Sequence, residues 1–187
     1  MVCFRQNAFR EALRMKRGNV NMLCRVALAA ALLAVCSWIQ IPFPIPLTMQ
    51  TFAVFVAAAL LPAFGGAAAV GVYLLLGIAG LPVFSGFMSG VGAVLSPAGG
   101  FLLGFLPMAL VQGILQRRMS APLAMAAGLA VCYLCGALWY CHVYADGGFL
   151  AALLTCVVPY ILPDAVKLAL AALLVRRISR AAAVHTA

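Results

Sequence analysis

Asp164 and Lys167 lie three residues apart in a stretch, 149–175, that holds no other Asp, Glu, Lys or Arg. On a helix that spacing puts both side chains on one face, within reach of each other. Each would cost about 2.5–3.5 kcal/mol to place at membrane depth. A pair this costly marks a pathway or a ligand site; the alternative is a structural ion pair stitching two helices. Pro163 precedes Asp164, and proline suits the first turn of a helix, where an N–H is unpaired anyway. The run 159–163, Pro-Tyr-Ile-Leu-Pro, is therefore expected to break the segment. Its second half would start near Pro163, with Asp164 in the first turn, where the helix dipole favours an anion.

The seven cysteines, at 3, 24, 36, 132, 135, 141 and 156, are odd in number and scattered. That is not a disulfide framework. Cys132 and Cys135 form a CxxC inside an apolar stretch, where hydrocarbon suppresses both thiolate and access. Cys141 beside His142 has no third metal ligand nearby, and no metal site is expected. Cysteine as a small apolar residue is the preferred reading, with membrane thiol chemistry at Cys132 and Cys135 as the alternative.

Three further features gather on one side. Ile-Pro-Phe-Pro-Ile-Pro, 41–46, is stiff and extended, and it leads into the polar patch Leu47-Thr48-Met49-Gln50-Thr51. Gly80-Leu-Pro-Val-Phe-Ser-Gly86 runs on to Ser96-Pro-Ala-Gly-Gly100, backbone that allows close approach of a ligand or another segment. Each could be an ordinary cap or turn. All fall on the side of the expected break at Pro163, so together they read as a site that captures something from outside.

The elements holding these groups follow from composition. Of 187 residues 67% are hydrophobic and 8% charged, against about 25% charged in soluble domains. That excludes a soluble enzyme, a disordered chain and a nucleic-acid-binding domain despite the net charge of +9. Apolar runs separated by Pro, Gly and charge lie at about 22–41, 47–61, 67–84, 99–115, 122–140 and 149–175. Period-two alternation is absent, so helices are preferred over a barrel. The expected fold is an all-α integral membrane protein with six transmembrane helices in one bundle. Its parts are a basic N-terminal segment 1–21, a transmembrane domain 22–176 and a tail 177–187.

With six crossings, three basic clusters fall on one face: Arg5 to Arg25, Arg117 with Arg118, and Arg176, Arg177 and Arg180. By the positive-inside rule that face is cytoplasmic, and so are both termini. The opposite loops, 42–46, 85–97 and 141–148, hold no Lys or Arg. The first apolar run is a full span followed by five more, so it is read as a helix and not a signal peptide. The basic patch before it is read as a topology signal, with an interfacial helix on anionic lipid as the alternative. Ala27 with Ala31, and Ala30 with Ala34, give small-xxx-small pairs that let a second helix approach, inside the bundle or from a partner subunit.

Four stretches, in order and similarly spaced, resemble the signature motifs of BioY, the biotin-binding S component of energy-coupling factor (ECF) vitamin transporters. They are Pro44-Ile-Pro-Leu-Thr-Met-Gln-Thr51, Gly80-Leu-Pro-Val-Phe-Ser-Gly86, Pro97-Ala-Gly-Gly-Phe-Leu-Leu-Gly-Phe105 and Pro159-Tyr-Ile-Leu-Pro-Asp-Ala-Val-Lys167. The resemblance implies a bacterial or archaeal cell-membrane subunit, not an enzyme, that binds biotin near the outer face. It implies a site drawn from Asp164, Lys167, Gln50, Thr48, Ser89, Gly99, Gly100 and Tyr160. A lid, Phe43, Pro44, Ile45 and Pro46, would close over it. Biotin's ureido N–H groups would suit Asp164, and its valerate carboxylate Lys167. The small residues Ala27, Ala30, Ala31 and Ala34 would contact the transmembrane coupling subunit, which two ATPase subunits drive. The chain itself holds no GxxxxGK[ST] loop. No resident cofactor is expected, and biotin is the cargo. Two positions depart from the family pattern: Phe87-Met88-Ser89 where a polar Arg or Asn is usual, and Ala98 where Thr is usual. Ser89 or Ser96 would have to stand in for those polar side chains. A different small vitamin remains the alternative ligand within the same fold.

Overall fold

The structure, a computed structural model, describes residues 2–42, 45–143 and 148–185. Within them the chain is helical apart from one two-residue hairpin. Helix α1 (Val2–Trp38) leads into strands β1 (Gln40–Ile41) and β2 (Leu47–Thr48). Then come α2 (Gln50–Leu60), α3 (Gly65–Ile78), a 3-10 turn (Ser85–Phe87) and α4 (Gly90–Val94). Helices α5 (Gly99–Leu115), α6 (Ala121–Val143), α7 (Gly148–Cys156) and α8 (Val158–His185) complete the order. The strands pair antiparallel, Gln40 with Thr48 and Ile41 with Leu47. The pairing brings the two flanks of the proline-rich segment together.

Three helices are long and apolar enough to cross a membrane, over Val20–Trp38, Ala121–Val143 and Ala152–Ala181. Helices α2, α3 and α5 are apolar but shorter. All six lie within or overlap the six apolar runs of the sequence. Leu23, Leu28, Leu75, Leu150 and Leu162 are exposed, a surface suited to hydrocarbon.

Helix α2 occupies the centre. Ala53, Val54 and Phe55 are fully buried, and α1, α3, α5 and α8 all pack on it. At 11 residues it rises only about 16 Å. Its neighbours, rather than its own length, carry it across the core. Leu61 leaves the helix in an extended conformation before Pro62. The most extensive helix pairing is α5 against α6.

The break in the last apolar segment lies earlier than the sequence predicts. It falls at Val157, between α7 and α8, and α8 runs through Pro163. Pro159 is the proline in the first turn, where no N–H is missed. Pro163 forfeits one bond a turn later, a loss tolerated in a helix packed among others. Asp164 is therefore beyond the first turn, and the helix terminus is not what stabilises it.

Candidate functional site

One cavity of about 700 Å³, counting its mouth, opens at the end of the bundle where α2, α5 and α8 begin. Its walls are largely apolar: Phe84 from the loop after α3, Phe101, Leu102 and Phe105 from α5, and Ile45 with Leu47 from the hairpin. Among the described residues Asp164 and Lys167 from α8 are its only charged lining residues, 4% and 6% exposed.

Two polar networks meet there. In the first, Lys167 Nζ lies 2.8 Å from Asp164 Oδ1 and donates to the Thr48 carbonyl at 2.6 Å and Thr51 Oγ1 at 3.3 Å. An ammonium has three donors, so these contacts occupy all of them. Asp164 Oδ1 also accepts from Thr51 Oγ1 at 2.9 Å, and Oδ2 accepts from the Tyr133 hydroxyl at 2.7 Å. Each carboxylate oxygen can accept about two hydrogen bonds. Oδ1 is filled and Oδ2 keeps one free position. Pairing plus hydrogen bonding is what makes such a buried ion pair tolerable.

In the second network, Thr48 Oγ1 donates to Gln50 Oε1 at 2.9 Å, and Gln50 Nε2 donates to the Tyr73 oxygen at 2.6 Å. The Tyr73 hydroxyl passes its own proton to the Val83 carbonyl at 3.1 Å. This chain ties the start of α2 to the loop that carries Phe84. The Tyr160 hydroxyl donates to the Ile45 carbonyl and so fastens the hairpin tip to α8.

The structure gathers Asp164, Lys167, Gln50, Thr48, Tyr160, Ile45 and Pro46 around this one cavity. Phe43 and Pro44 lie outside the described residues. Three residues expected at the site are absent from the lining. Ser89 is exposed, at the start of α4. Gly99 and Gly100 serve packing instead: a Cβ on Gly100 would fall 2.2 Å from Trp139 Cβ, and one on Gly99 1.7 Å from the Val94 carbonyl oxygen. Ser96 does line the cavity, with its Oγ donating to the Ala93 carbonyl at 2.7 Å.

The alanine pairs of α1 separate. Ala30 is buried at 4%, and Ala34, half-buried, packs against the core. Ala27 and Ala31 face outward. Cys132 and Cys135 are both free, and Cys132 is buried in the cavity wall with its thiol 3.7 Å from the Phe101 carbonyl. Among the described residues no group of three potential metal ligands converges.

Sequence reasoning passed over Tyr133 and Tyr73, and noted Thr51 only as part of the polar patch 47–51. The signal for the tyrosines was present: a phenol in an apolar span must find a partner for its hydroxyl. Nothing in spacing alone tells which partner.

Comparison with known proteins agrees with this arrangement. The BioY family model matches residues 10–184. The biotin transporter BioY of Thermotoga maritima is 36% identical over 169 residues, spanning 86% of this chain and 97% of that protein. The probable biotin transporter BioY of Pyrococcus horikoshii is 37% identical, spanning 88% and 98%. The crystal structure of the S-component for biotin from an ECF-type ABC transporter superposes with a TM-score of 0.79 at 25% identity, covering 88% of this chain and 93% of that one. With the family model matched over residues 10–184 and a relative 36% identical across 86% of this sequence, the chain belongs to the BioY family.

Proposed function

We propose that this chain is the biotin-specific S component of an ECF-type transporter, a membrane subunit that captures biotin for uptake. One observation carries the reading: a buried, hydrogen-bonded Asp164–Lys167 pair in the wall of a largely apolar cavity. Biotin is a polar ureido ring fused to an apolar thioether ring with an aliphatic chain, and the lining offers both kinds of surface. The named relatives support the same ligand.

The domain crosses the membrane six times over residues 22–176, with the short α2 packed among its neighbours at the centre. The basic segment 1–21 and the tail 177–187 are cytoplasmic, as the positive-inside rule requires. The cavity then opens on the outer side, and the loop Phe43, Pro44, Ile45 and Pro46 is its lid. Ala27 and Ala31, exposed on α1, offer a close-approach surface to a transmembrane coupling subunit. ATP hydrolysis falls to two separate ATPase subunits, and the chain needs no resident cofactor.

Isothermal titration of the purified chain with biotin tests this directly. Saturable binding at micromolar biotin or below is the expected result. No binding at that concentration would overturn the assignment and leave a different small vitamin as ligand.

A further inference from the structure

Resting on the biotin reading, we propose that the cavity recognises the cyclic urea and not the carboxylate, so that carboxyl-modified biotins, biotinyl-lysine included, are ligands too. The argument starts from charge. Between Arg25 and Lys167 the chain holds no Lys or Arg except Arg117 and Arg118. Those follow the far end of α5, sixteen residues beyond Phe101 in the cavity wall, or about 24 Å along the axis. Arg25 lies thirteen helical residues before Trp38, the end of α1 that leads into the hairpin, about 20 Å, and Arg176 follows Lys167 by about 14 Å. His142 is exposed and outside the lining. Among the described residues Lys167 is thus the one cation a ligand in the cavity can meet, and Asp164 already neutralises it at 2.8 Å.

A valerate carboxylate brought to Lys167 would sit within a few ångströms of the Asp164 carboxylate, where like charges repel strongly. It would take the place of Thr51 at Lys167, as any acceptor would, but with that repulsion added. A cyclic urea meets no such repulsion. An N–H and the carbonyl beside it sit on neighbouring ring atoms and match the neighbouring acceptor and donor of the pair. The N–H takes the free position on Asp164 Oδ2. The carbonyl oxygen accepts from Lys167 in place of Thr51, whose 3.3 Å contact is the longest of the three.

Depth points the same way. The charged pair is nearly inaccessible, whereas Met88, another lining residue, is 43% exposed and marks the mouth. With the ring at the pair, the chain runs out past apolar walls, and its carboxylate ends in water. Its charge then contributes little.

Competition against radiolabelled biotin on the purified chain tests this. Biotinamide and biotin methyl ester should bind within tenfold of biotin, while methylation of the ureido nitrogens should weaken binding more than a hundredfold. A loss above tenfold for both amide and ester overturns the proposal while leaving biotin binding intact. Failure of biotin itself to bind would instead overturn the reading beneath it. Lys167→Gln gives a second readout: it should weaken biotin and biotinamide by the same factor, and a loss confined to biotin overturns the proposal. Should that variant fail to fold, the wild-type competition decides alone.

Discussion

At its N-terminal end α2 presents Thr51 and Gln50 to side chains from α8 and α3, whereas at its C-terminal end its neighbours grip the backbone. Gln112 Nε2 donates to the Phe55 carbonyl at 2.8 Å and Gln116 Nε2 to the Ala59 carbonyl at 3.0 Å. Between them Gly113 lies so close to the chain leaving α2 that a Cβ there would fall 2.3 Å from the Ala63 carbonyl oxygen. A network of side chains can exchange one partner for a ligand atom at little cost. A clamp on carbonyls, closed over a glycine, has no such freedom. One helix therefore has an end that can respond to ligand and an end that holds the bundle together.

The largest test of that contrast is Asp164→Asn. The variant keeps the volume but leaves the buried Lys167 ammonium uncompensated, a loss of about 3–5 kcal/mol where measured in other buried pairs. Biotin affinity should fall more than tenfold, at least about 1.4 kcal/mol, and the thermal midpoint in detergent should drop as well. Unchanged affinity would make the pair a stitch between helices and move it to the structural side of the comparison.

Gly113→Ala probes the other end. Forcing a methyl against a carbonyl oxygen in a packed core costs about 1–3 kcal/mol. The thermal midpoint should fall by several degrees, and the affinity of the folded fraction for biotin should stay within twofold. A tenfold loss of affinity would show that the two ends are coupled through α2 and are not separable.

How much of this was visible in the sequence differs between the two ends. Asp164 and Lys167 announce themselves because charge in an apolar run is costly, and that cost needs no tertiary information to recognise. The polar patch 47–51 was legible for the same reason, and the composition carried the all-helical class. The end of α7 was not. Two prolines, Pro159 and Pro163, both satisfy the rule for a first turn, and only packing decides that the break precedes the first of them. Nor was the division of Ala30 and Ala34 from Ala27 and Ala31, because identical small-residue pairs on adjacent faces differ only in what the fold lays against them. Gly99 and Gly100 read as backbone open to a ligand, yet Val94 and Trp139 fill the space beside them. Spacing identifies that something must approach closely, and the fold supplies its identity.

Tyr133 gives the finest discrimination, since its hydroxyl touches the ligand-responsive end through a single bond. That bond, 2.7 Å to Asp164 Oδ2, engages the one carboxylate oxygen with a position to spare. It fixes the direction in which the remaining lone pair faces the cavity. In Tyr133→Phe the ring still fills the wall, Lys167 and Thr51 still hold Oδ1, and only the aim of Oδ2 is lost. One hydrogen bond is worth about 1 kcal/mol net, so biotin affinity should fall roughly fivefold. Stability should change little, because the cavity gives the freed carboxylate oxygen room to find water, so no buried group is left without a partner. Titration and a melting curve on the same preparation separate the two quantities. A lowered melting point with unchanged affinity would place Tyr133 among the residues that hold the bundle, and the carboxylate would then be aimed by Lys167 and Thr51 alone.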